Sequence, residues 1–271
     1  MTDKKIGVIH YNWPGYDLEG FAQRASEIGY THCEVRAADI WVGDEVDGAH
    51  RAEEVRELLA RYGMQVSAVE IGNDFLQADP VDLDMQVARY RARCKVIPLT
   101  GCDIARSDGG WNRNDQVPQA QWDGMMLDAF KRVADGLEEA GVRIALDNHG
   151  VTTNDGYWQL SLIERVGSPR LGVNLDTMNY RWFGHELETI DRFYEILAPH
   201  VFHVHMKDGT GSRQEYKGAA LGEGEINLEH AVALLEKAGY EGAWTAEYEG
   251  PEAEGGIGYE KCYSWLADRL G

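Results

Sequence analysis

The sequence predicts one closed (β/α)8 TIM barrel of the α/β class, spanning residues 1–271 as a single domain, and three observations carry that prediction. Short apolar runs alternate with longer amphipathic runs eight times along the chain. Successive apolar runs lie roughly 30 residues apart, which is the length a βαβ unit needs. The first run ends in Asn12-Trp-Pro-Gly15, not in the glycine-rich phosphate loop that opens a doubly wound sheet.

The elements follow in order. Lys5–His10 reads as the first strand, and Leu18–Gly29 as a helix with Phe21, Ala25 and Ile28 at helical spacing. Thr31–Arg36 is the second strand, and Arg51–Tyr62 a helix ended by Gly63. Met64–Ile71 is the third strand, followed by a helix over Gln86–Val96 that Pro80-Val-Asp-Leu-Asp opens. Gly101–Arg106 is a weaker fourth strand, and a long helix from Gln119 to Ala140 stops at Gly141. The second half is clearer. Strands are predicted at Val142–Asp147, Leu171–Asp176, Val201–Met206 and Ala243–Tyr248. Helices are predicted at Tyr157–Val166, Leu187–Leu197, Leu228–Ala238 and Tyr259–Leu270.

Composition narrows the function. The chain has 26 Lys and Arg against 46 Asp and Glu, a formal net charge of -20. Nucleic acids and anionic membranes both require a basic footprint, so neither is expected as a partner. No signal-peptide core follows the short charged lead, and no 18-residue apolar stretch is present. Cys33, Cys94, Cys102 and Cys262 form no CxxC pair, so reduced structural thiols in a cytoplasmic protein are expected.

Side chains at the C-terminal ends of barrel strands converge on one site. Strands five to eight end in Asp147, Asp176, His205 and Glu247. Three carboxylates and an imidazole from adjacent strands suit one divalent cation, with Mn2+ first and Mg2+, Co2+ or Zn2+ as alternatives.

Five segments then carry a resemblance. Ala145–Gly150, Gly172–Asn179, His203–Asp208, Leu221–Glu225 and Ala246–Gly250 together resemble the xylose-isomerase-like superfamily, the sugar phosphate isomerases and epimerases. The resemblance implies a metal held by Asp147, Asp176, His205 and Glu247, with Asp147 and Glu247 also passing the proton. It implies isomerisation or epimerisation of a sugar or keto-polyol through a metal-stabilised enediolate. The family's usual residue at the strand-five position is Glu, and here it is Asp147. An Asp is one methylene shorter, so His149 is read as a candidate base beside it. That substitution keeps a second reading alive, a metal-dependent lyase or dehydratase acting on keto-sugars, keto-glycosides or keto-inositols.

Further substrate contacts are expected from His10 and Trp13 after strand one, Glu34 and Arg36 on strand two, Asn179 beyond Asp176, and Lys207 after the His-Val-His strand. His203 is expected to lie one layer deeper as a hydrogen-bonded core group, and Glu223 and Glu225 to be structural. The expected partner is a small carbohydrate, and a homo-oligomer is compatible with the sequence. An endonuclease built on the same barrel would need a His-rich multi-metal site and a basic face, which this composition opposes. A non-catalytic sugar binder is the remaining class.

Overall fold

A computed structural model describes residues 5–11, 13–42, 47–111 and 115–271. Asn12 of the expected first turn and residues 1–4 of the charged lead lie outside the described residues.

The barrel strands are β1 (Ile6–Ile9), β2 (His32–Val35), β3 (Gln65–Glu70), β4 (Ile104–Ser107), β5 (Arg143–Asp147), β6 (Leu171–Asp176), β7 (Val201–Met206) and β10 (Trp244–Ala246). They close in the order β1-β10-β7-β6-β5-β4-β3-β2, every pair parallel. Closure is made by β1 on β10, with Ile6 opposite Trp244 and Val8 opposite Ala246. Because helices cover the outer face and packed side chains fill the inside, these strands are largely buried on both faces. All six residues of β6 are buried. Gly172 in that strand is required by packing, since a Cβ there would collide with the His200 carbonyl and the Phe202 ring.

The helices are set by local signals. Asp17 caps α1 (Leu18–Ile28) by accepting the Gly20 amide at 2.8 Å, and Gly29 with φ 122° ends it. The short α2 (Ala37–Ile40) and α3 (Ala49–Arg61) follow β2. Helix α4 runs Pro80–Cys94, starting earlier than the sequence suggests. Asp79 accepts the Val81 amide and Pro80 occupies the first turn, so the opening segment is itself helical. Helix α5 (Gln119–Ala134) ends six residues before the expected Ala140. Gly136, a poor helix former, lets the Arg91 side chain pack on its backbone there. The later helices are α6 (Gly156–Val166), α7 (Asn179–Phe183), α8 (Leu187–Leu197), α9 (Leu228–Lys237) and α10 (Ile257–Leu270).

Three further differences concern one strand start and two segments at the C-terminal mouth. Strand β4 begins at Ile104 because Gly101, at φ 84°, turns the chain first. Helix α7 and an antiparallel hairpin of β8 (Asp208–Thr210) and β9 (Lys217–Ala219) were not anticipated. The hairpin loop is tied down by Asp208, whose carboxylate accepts the amides of Gly209, Gly222, Gly224 and Ile226 at 2.8–3.2 Å. Glu225 accepts from Arg181 at 2.7 Å and Glu223 pairs with Lys261 at 3.3 Å, so both acids brace loops. Among the described residues, no helix is long and apolar enough to cross a membrane.

Candidate metal centre and active-site cavity

Asp176 closes β6, and its Oδ1 accepts the amides of Met178 and Asn179 at 2.8 and 2.7 Å, capping α7. Its Oδ2 is buried without a hydrogen-bond partner. That oxygen lies 4.0 Å from His205 Nδ1 and 3.9 Å from Lys207 Nζ. Burial, reinforced by Glu247 and Asp147 against the opposing pull of Lys207, raises the Asp176 carboxyl to about 7. Such an orphaned buried oxygen is costly unless something positive meets it.

His205, near the end of β7, is gripped on both nitrogens. Its Nε2 donates to Glu34 Oε2 at 2.6 Å, and its Nδ1 lies 3.0 Å from Glu247 Oε2. Burial disfavours the charged ring, but Glu34 and Glu247 hold it well above its ordinary range. Glu247 follows β10 directly and keeps the strand register through its amide, which bonds the Met206 carbonyl at 3.0 Å. Burial works against its charge, yet Lys207 and His205 keep its carboxyl well below the usual range.

Asp176, His205 and Glu247 therefore present three donor atoms within 4.8 Å of one another. The set is two oxygens and one imidazole nitrogen, which fits a divalent cation of the Mn2+, Mg2+, Co2+ or Zn2+ type. Glu34 supplies the carboxylate behind the imidazole that orients a ligating His and fixes which nitrogen is presented.

The fourth expected ligand stands apart. Asp147 Oδ1 accepts from Asn174 Nδ2 at 2.7 Å, and Oδ2 accepts from Arg106 Nη1 at 3.1 Å. It groups with Asp108 and His149, whose Nδ1 is 3.5 Å away, and not with Asp176, His205 and Glu247. Asp147 thus lies outside the cluster that the other three expected ligands form. The reason is the short side chain and the guanidinium beside it. Burial opposes its ionisation, but His149 and Arg106 together hold the Asp147 carboxyl well below its usual range.

Two buried cations organise the acids around the mouth. Arg106 bonds Glu34 at 2.7 Å, Asp147 at 3.1 Å and Asp108 at 3.2 Å. Lys207 reaches Glu249 at 2.8 Å, Glu247 at 3.0 Å and Asp176 at 3.9 Å. Each thus faces three carboxylates, and isolated buried charges of this kind would be prohibitive. The cavity beside Arg106 encloses ≈160 Å³ and is lined by Tyr11, Glu34, Arg106, Asp147, His149 and Glu247 among others. His149 is half-buried there, its ring edge-on to Trp111 at 4.8 Å. Asp147 and Asp108 raise its pKa against the effect of burial.

The remaining expected contacts divide. Arg36 lines the rim but forks onto Asp39 at 2.9 and 3.3 Å. Asn179 accepts from Lys207 at 3.4 Å. Lys207 is committed to the carboxylates above, and Glu34 to His205 and Arg106, so neither is positioned as a simple hydroxyl grip. His10 does not reach the cavity, because its Nδ1 faces Asp39 Oδ2 at 3.0 Å and its ring packs on Phe21. Trp13 does not line this cavity and is buried, stacked on Tyr259 at 4.3 Å. His203 lies below the site, with Nδ1 bonded to Asn174 Oδ1 at 2.7 Å and Nε2 to Thr245 Oγ1 at 3.1 Å. Burial lowers its pKa to about 3, so it stays neutral.

Arg106, Asp108, Asn174 and Glu249 were not singled out from sequence. A lone charged residue in β4, Ile-Ala-Arg-Ser, was the available signal for the first of them.

The chain matches the family model described as xylose isomerase-like TIM barrel over residues 22–268. An uncharacterized protein of Methanocaldococcus jannaschii is 27% identical over 257 residues, covering 91% of this chain and 84% of that protein. The inosose isomerase of Halalkalibacterium halodurans is 27% identical over 119 residues, 41% of each chain. Among solved structures, D-psicose 3-epimerase from Clostridium cellulolyticum H10 with D-tagatose superposes with a TM-score of 0.78 at 14% identity, covering 98% of both chains. A zinc-bound IOLI protein gives 0.78 at 15% identity, again over 98% of both. At those identities the two structural likenesses speak for the fold. With the family model spanning nearly the whole barrel, the chain belongs to the xylose isomerase-like TIM barrel family.

Proposed function

We propose that this protein is a divalent-metal-dependent isomerase or epimerase acting on a sugar or keto-polyol. The observation that carries the reading is the buried, partnerless Asp176 Oδ2 facing His205 Nδ1 and Glu247 at the barrel mouth. Asp176, His205 and Glu247 would hold the ion, with Mn2+ the first candidate. A bound divalent cation supplies Lewis-acid stabilisation of the charge that develops on a carbonyl oxygen when the neighbouring carbon loses its proton.

The chain's own groups account for the rest of the chemistry. Glu247 lines the cavity as a carboxylate and accepts the substrate proton. His149 borders the same cavity from the loop after β5, three strands away around the ring. Asp147 orients that imidazole, and Arg106 keeps Asp147 ionised. A base on one side and an acid on the other is what return of the proton at a different position or face requires. The inosose isomerase and D-psicose 3-epimerase relatives act in name on such substrates, which supports a carbohydrate partner.

The His149–Asp147 contact also favours a second reading. An imidazole held ready to donate a proton serves equally to protonate a leaving group, which would make the enzyme a lyase or dehydratase on keto-sugars, keto-glycosides or keto-inositols. Incubation of the Mn2+-loaded protein with a panel of ketoses and keto-inositols in D2O separates the two. Deuterium incorporation beside the carbonyl with mass otherwise conserved supports the isomerase or epimerase. Release of water or of an alcohol supports the lyase, and no exchange or release with any member contradicts both.

A further inference from the structure

We propose that the substrate carries a second sugar ring, and that this ring occupies a groove running outward from the catalytic cavity between the loops after β3 and β4. The inference rests on the sugar isomerase or epimerase reading and deepens it. The catalytic cavity encloses ≈160 Å³, below the roughly 300–1,000 Å³ of pockets that enclose larger organic ligands. One monosaccharide fills it. A second cavity of ≈350 Å³ adjoins it, and the two share Glu70, Asp108 and Trp111 as lining residues. The two spaces thus meet at those three side chains, with His205 and Glu247 lining the narrower one and Gln86 and Arg89 of α4 lining the wider one.

The wider space is built for hydroxyls. Besides the shared residues, it is lined by Gln77, Gln86, Arg89 and Asp74, side chains that offer both donors and acceptors. Trp111 at the junction is an aromatic wall of the sort on which an apolar ring face stacks. Arg89 donates to Gln86 Oε1 at 2.8 Å and makes no ion pair among the described residues.

The walls are also rigid. Asp74 Oδ1 accepts the amides of Leu76 and Trp111 at 3.1 and 2.8 Å. Asn73 Nδ2 donates to the Asp108 carbonyl at 2.5 Å, and the Phe75 amide to the Gly109 carbonyl at 3.2 Å. Gly110 permits this close approach, because a Cβ there would lie 2.5 Å from Leu76 Cγ and 3.0 Å from its amide nitrogen. A groove held open by such bonds between two loops is organised before any ligand arrives. The class of substrate it fits is a keto-glycoside or a ketose-containing disaccharide, with the ketose at Asp176, His205 and Glu247 and the partner ring against Gln77 and Arg89.

The test uses the Mn2+-loaded protein and five probes: D-fructose and four of its glucosyl forms, turanose, maltulose, leucrose and isomaltulose. Binding is read by calorimetry, and deuterium exchange beside the carbonyl is read separately. At least one disaccharide is expected to bind tenfold or more tightly than fructose. Gln77→Ala and Arg89→Ala are each expected to erase most of that gain while leaving fructose within about twofold. Equal binding of fructose and all four disaccharides overturns the groove, as does a loss shared equally by fructose, or no binding of any probe. Exchange with fructose but no disaccharide advantage overturns the groove and keeps the isomerase reading. A disaccharide advantage without exchange keeps the groove and overturns that reading.

Discussion

His205 donates its Nε2–H to Glu34 Oε2 at 2.6 Å, joining β7 to β2 across the barrel mouth. With Arg106 bonded to the other oxygen of Glu34 at 2.7 Å, the carboxylate cannot swing away, and His205 Nδ1 is left as the nitrogen offered to Asp176 and Glu247. Glu34 thus holds the orientation of His205.

That relationship makes Glu34→Gln informative. The amide can still accept the His205 proton but loses the negative charge that makes the imidazole a better ligand. Outer partners of this kind typically change metal affinity by about 10–100-fold. A Mn2+ competition titration is expected to show such a loss with the far-ultraviolet circular dichroism unchanged. An affinity equal to that of the parent would mean that Glu34 does not support the site.

Glu247→Gln is expected to retain the fold and lose turnover. The amide cannot take up a proton at neutral pH, and loss of a general base typically costs about 10²–10⁴-fold in rate. The comparison is made at full metal loading, because Glu247 is also in the ligand trio. Activity within about threefold of the parent would remove it from the proton-transfer role.

The β5 corner yields a paired experiment. His149→Ala is expected to be as damaging as Glu247→Gln, since His149 is the imidazole that Asp147 holds at 3.5 Å. Asp147→Glu is expected to lower activity as well, because the longer side chain disturbs contacts that Arg106 and Asn174 make at 3.1 and 2.7 Å. An active Asp147→Glu enzyme together with a near-normal His149→Ala enzyme would return the acid/base role to Asp147.

How far the sequence reached is seen in particular elements. Helix α8 and strand β7 match their predicted bounds, because amphipathic periodicity and an apolar run bounded by turns are local signals. The convergence of Asp176, His205 and Glu247 was likewise legible, since β-strand ends in a barrel share one face. Asp147 sits at an equivalent strand end, yet side-chain length and a neighbour from β4 decide where its carboxylate goes. Glu34 shows the same limit from the other side. Its alternation placed it toward the barrel interior, but nothing local says which partner from β7 or β4 it meets. The groove over α4 is made by two loops held together by side-chain-to-backbone bonds, which leave no periodicity to read.

Acid stability offers a check away from the metal ligands. Asp39 has its carboxyl lowered to about 2, where burial is outweighed by His10 and Arg36. A carboxyl lowered on folding contributes stability that is complete above its unfolded value of about 3.9 and disappears as pH falls through the folded one. The contribution is about 2 kcal/mol for a shift of this size. Urea unfolding of the parent and Asp39→Asn is therefore expected to differ by about that amount at pH 6 and to converge near pH 2. A difference that stays constant between pH 6 and pH 2 would show that the Asp39 charge is not what stabilises the β1–α2 corner.

The central claim is that Asp176, His205 and Glu247 form a site for one divalent cation. Elemental analysis after equilibration with Mn2+ and removal of free ion measures this directly, on the parent and on Asp176→Ala and His205→Ala. One ion per chain in the parent and close to none in the two variants is the expected result. Retention of the ion by both variants at the parent's level would contradict the account.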